Sequence, residues 1–111
     1  MTIFDDRENA FESKFAHDEE MRFKLEARRN RLLGMWAAGI LGLQGDQAEV
    51  YAMEVVAADL AHTGQDNVHD KISRDFIGAG VAIPSGEIRA RMNELLAAVI
   101  AQAGESVDRV A

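Results

Sequence analysis

Few residues in this chain have the types and spacing that catalysis needs. There is no cysteine, so disulfides, thiolate nucleophiles and thiolate metal sites are excluded. Three histidines are present, His17, His62 and His69. His62 and His69 flank one predicted turn, but no helical His/Glu pairing completes a metal-ligand set beside them. The many carboxylates form no recognisable acid/base pair and read as solvated helix surface. No GxxxxGK[ST] loop and no GxGxxG opening a helix occurs, so the glycines read as helix ends or close helix contacts rather than phosphate cradles. The reading is a non-enzyme without a metal site, and the chemistry left to these residues is recognition.

Two groups could carry recognition. Phe4, Phe11 and Phe15 stand at i, i+7 and i+11, one narrow helical face that holds three of the five phenylalanines. They either fold back as ordinary core or anchor a partner groove in the helix-in-groove mode. Burying three such rings is worth about 5–9 kcal/mol. Ordering the roughly 18 residues that carry them costs more than that unless helix hydrogen bonds and charge contacts help. Alone, so short a helix is marginal in water, and the segment is expected to fray until it docks. The second group is a basic strip, Lys24, Arg28 and Arg31 with Arg29 beside it. It reads as a solvated face, or as a strip meeting an acidic partner surface or a phosphate. A weak site for ADP or ATP could lie only near Arg28, Arg29 and Arg31 or at the glycine turns, and no cofactor is required.

The elements that must position these groups are helices. The 111 residues make one domain, and a 48% apolar content permits a real core. A single proline and the absence of useful strand alternation argue for an all-α fold. The net charge of −7 argues against a general nucleic-acid or anionic-membrane binder. No apolar run is long enough to span a bilayer. The N-terminal MTIFDDRENAFESK does not read as a signal or transit peptide, so the expected compartment is the cytoplasm. Charge is uneven: residues 1–31 hold 7 of the 12 Lys and Arg and 8 of the 19 Asp and Glu.

Helix one is expected from Thr2–Asp5, where Thr2, Asp5 and Glu8 have capping-box spacing, to Gly42–Gly45. Gly34 lies inside it at a cost of about 1 kcal/mol. Its core stripe is read as Leu25, Leu32, Trp36 and Leu43, flanked by Leu33 and Ile40. Glu20–Lys24 and Arg22–Glu26 are i,i+4 ion pairs on its exposed side. Helix two runs from an Asp46 cap to about His62, ending at Thr63–Gly64. It is apolar on most sides, which predicts a central, heavily buried helix. Helix three starts at Asp66 or Asn67, buries Val68, Ile72, Phe76 and Ala79, and ends at Gly78–Gly80. Helix four follows the Pro84-Ser85-Gly86 turn with Ser85 as cap. It buries Ile88, Met92, Leu95, Leu96 and Val99 and stops before Gly104. Short turns make a four-helix antiparallel bundle the expected fold. Helix one is longer than such a bundle needs. The division is an N-terminal arm, 1–18, a bundle, 19–104, and a frayed C-terminus, 105–111.

The stretches FDDRENAFESKFAHDEE, EARRNRLLGMWAA and YAMEVVAADL resemble the alphaproteobacterial zeta subunit, the inhibitor of the F1 part of ATP synthase. The resemblance spans essentially the whole chain. It is strongest over residues 4–42 and 50–60 and weakest over 61–90, where GAGVAIPSGE does not match clearly. It implies a four-helix protein with a mobile inhibitory arm that becomes helical at a catalytic alpha/beta interface near the central gamma stalk and blocks ATP hydrolysis. Carried onto this sequence, the plug is Phe4 to about Glu19, with Phe4, Phe11 and Phe15 as anchors. Arg7, Glu8, Glu12, Lys14 and His17 are its polar contacts. The partners implied are the alpha, beta and gamma subunits, with no nucleic acid and no membrane insertion. The chain is expected to be monomeric when free and peripheral on the inner membrane through F1. The competing readings are a helical module that binds adenine nucleotide and a non-inhibitory assembly subunit.

Overall fold

The computed structural model describes residues 19–61, 66–84 and 86–110. They form four helices: α1 (Glu19–Ile40), α2 (Asp46–Ala61), α3 (Asn67–Gly78) and α4 (Glu87–Val110). No strand occurs among the described residues. The chain is an all-α four-helix bundle. The proposed start of helix one at Thr2–Asp5, the Thr63–Gly64 stop and the Ser85 cap lie outside the described residues.

Glycine ends two helices by one device. At the end of α1, Leu43 N–H donates to Ala38 O at 2.9 Å and Gly42 N–H to Gly39 O at 3.2 Å, with Gly42 at φ +82°. At the end of α3, Val81 N–H donates to Phe76 O at 2.9 Å and Gly80 N–H to Ile77 O at 3.1 Å, with Gly80 at φ +72°. Both are Schellman motifs, in which a left-handed residue lets the last carbonyls find donors. In each, the following aliphatic residue, Leu43 or Val81, tucks against the core. Asp66 caps α3 by position, but its side chain accepts no cap hydrogen bond. Its carboxylate instead pairs with Arg89 of α4.

The packing departs from expectation at the centre. α1, not α2, touches all three other helices, while α2 meets only α1 and α3. The fully buried side of α1 is Asn30, Leu33, Gly34, Ala37 and Ala38. The predicted stripe of Leu25, Leu32, Trp36 and Leu43 is only partly buried; Trp36 and, beyond the end of the helix, Leu43 pack against the core, and of its two flanks Leu33 is fully buried. Ile40 is exposed. Small side chains explain the difference. A Cβ on Gly34 would sit 2.6 Å from Ala52 Cα and 3.2 Å from Val55 Cγ2, so α1 and α2 touch nearly backbone to backbone. α2 buries one face only, Ala48, Tyr51, Ala52 and Val55, and leaves Val50, Met53 and Leu60 more than half exposed. With two neighbours rather than three, an edge helix has no protein to cover its outer side.

α3 buries Val68, Ile72 and Phe76 as expected, but Ala79 is its exposed C-cap residue. Phe76 meets Trp36 edge to face, with ring centroids 6.0 Å apart. The Arg91 guanidinium lies over the Trp36 ring, 5.3 Å from its centroid, so Trp36 of α1 meets both α3 and α4. α4 buries Ile88, Met92 and Val99, with Leu95 and Leu96 partly covered. It does not stop before Gly104. It continues through that buried glycine to Val110, because one helical glycine costs only about 1 kcal/mol and does not by itself end a helix.

Candidate functional site

The residues read as partner contacts, Phe4, Arg7, Glu8, Phe11, Glu12, Lys14, Phe15 and His17, lie outside the described residues. The structure describes the helix that follows them. Glu19 and Glu20 occupy the first turn of α1, where carboxylates complement the helix dipole. The two expected ion pairs form, Glu20–Lys24 at 3.2 Å and Arg22–Glu26 at 3.8 Å. Both are exposed and support the helix by a few tenths of a kcal/mol each. Between them Phe23 stands 52% exposed, an aromatic that the arm's stripe did not include.

The basic strip does not converge. Lys24 is held by Glu20, and Arg31 reaches across to Glu49 of α2, its Nη2 donating at 3.0 and 2.8 Å to the two carboxylate oxygens. Arg29 Nε donates to Asn30 Oδ1 at 2.7 Å. Burial pulls the Arg29 guanidinium below its usual range, against the favourable charges of Asp59 and Glu26 and with the repulsion of Arg89. Arg28 is exposed. The Asn30 side chain is fully buried in the α1 face, and its Nδ2 has no hydrogen-bond acceptor.

The best-connected polar group was not legible in the sequence. Tyr51 O–H donates to Asp75 Oδ2 at 2.8 Å, and Lys71 Nζ donates to the same oxygen at 3.0 Å and to Glu54 Oε1 at 3.2 Å. Lys71 also lies 5.0 Å from the centroid of the Tyr51 ring. The pairings 51 with 75 and 54 with 71 show that α2 and α3 run antiparallel. Burial raises the Tyr51 phenol far above its usual range, helped by the hydrogen bond to Asp75 and the charges of Asp75 and Glu54. Burial lowers the Lys71 ammonium, but its bonds to Asp75 and Glu54 and their charges outweigh that and leave it raised. Each group is satisfied by the others, so the cluster clamps two helices. Only the i,i+4 spacing of Lys71 and Asp75 hinted at it; the rest needs α3 laid against α2.

An open polar cleft beside this cluster is lined by Ala58, Asn67, Asp70, Lys71, Ser73, Arg74 and Asp75. None of the three arginines reaches it. His69 faces Asp70, its Nδ1 3.6 Å from Oδ1, and His62 lies outside the described residues. No group of three His, Cys, Asp or Glu among the described residues is placed to hold a metal ion. No described helix is long and apolar enough to cross a membrane.

The described residues form a small helical bundle that presents apolar and charged helix faces. Comparison with known proteins supplies its class. The family model of ATPase inhibitor subunit zeta matches residues 1–102, so the chain belongs to that family. A protein solved by solution NMR is similar, with a TM-score of 0.65 and 43% identity over 78% of this chain and 98% of that one. No curated protein matches. Membership makes the chain an inhibitory regulatory subunit whose partner is an ATP synthase.

Proposed function

We propose that the chain blocks ATP hydrolysis by inserting residues 1–18 at a catalytic alpha/beta interface beside gamma. Phe4, Phe11 and Phe15 anchor the inserted helix. Arg7, Glu8, Glu12, Lys14 and His17 make its polar contacts. A helix wedged there stops the opening and closing of subunits that each hydrolytic cycle requires. The chain then sits on F1 at the cytoplasmic face of the inner membrane, with no catalytic residue and no required cofactor.

One observation carries this reading: the four described helices share one core, to which α1 gives Leu33, α2 Val55, α3 Ile72 and Phe76 and α4 Val99, all fully buried. The phenylalanines at 4, 11 and 15 form a separate stripe in the sequence, which suits them to a partner groove. The family match begins at residue 1, so residues 1–18 lie within the matched range, which supports an arm that serves the inhibitor's role.

The test is deletion of residues 1–18. The shortened chain is expected to keep its helical circular dichroism and to lose inhibition of F1 ATPase. Undiminished inhibition would refute the proposal. In the free full-length chain, amides of residues 2–17 are expected to exchange quickly and those of 46–61 and 88–100 slowly. Saturable change in Trp36 fluorescence on adding ATP or ADP would point instead to nucleotide sensing in the bundle.

A further inference from the structure

We draw no further inference here: the strongest candidate, the exposed apolar seam of Val50, Met53, Ala57 and Leu60 on the outer side of α2, carries none because nothing in the structure shows what covers it.

Discussion

Gly34→Ala should destabilise the bundle although it replaces the poorest ordinary helix former with the best. The new Cβ would lie 2.6 Å from Ala52 Cα, a backbone atom that cannot rotate away, and 3.2 Å from both Ala52 Cβ and Val55 Cγ2. α1 and α2 must move apart, and overpacking of this kind costs about 1–3 kcal/mol, with a backbone clash near the upper end. The gain in helix propensity returns about 1 kcal/mol. The net loss is about 2 kcal/mol, which for a domain of this size lowers Tm by about 10 °C. Gly39→Ala is the control. Gly39 lies in the same helix with nothing within 4 Å of its would-be Cβ, so there the propensity gain stands alone and stability should rise by about 0.5–1 kcal/mol. Urea titration followed by circular dichroism measures both. Equal or greater stability of Gly34→Ala, or losses of the same size in both variants, would refute the close backbone contact as the seat of α1–α2 packing.

Phe76→Ala removes a fully buried ring and its edge contact with Trp36, so calorimetry should show a loss of about 3–5 kcal/mol and Trp36 emission should shift to the red. Alkaline stability should fall from about pH 10 upward. The Tyr51 phenol and the Lys71 ammonium both titrate higher in the folded state, so each contributes stability that is whole below its unfolded pKa and is lost as pH rises. Tyr51→Phe should remove the phenol's part of that fall and cost about 1–2 kcal/mol at neutral pH, read from urea midpoints across pH. Arg31→Ala breaks an exposed pair and should cost less than about 1 kcal/mol, with a double-mutant cycle against Glu49→Ala measuring the coupling.

Local signals carried well. The Asp46 and Asn67 starts, the Gly42 and Gly80 stops and the Glu20–Lys24 and Arg22–Glu26 pairs were all legible in the sequence, since each depends on residues within about one helical turn. Gly104 misled because a glycine ends a helix only where the chain turns left-handed, and there it does not. Val68, Ile72 and Phe76 were legible because α3 has one clear apolar face. α1 and α2 are less one-sided, and their inward faces could not be picked out by size. The Tyr51–Asp75–Lys71–Glu54 clamp was invisible because its partners lie on two helices.

By itself, then, the chain's order of residues determined four helices and the glycine stops at Gly42 and Gly80, because hydrogen bonds and side-chain periodicity within a helix need no distant partner. The tertiary structure alone decided that α1 is central, that its small side rather than its large side is buried, and that α2 keeps a bare apolar seam. Those outcomes turn on how closely two backbones approach at Gly34 and Ala52, and only the folded arrangement of neighbours sets that distance.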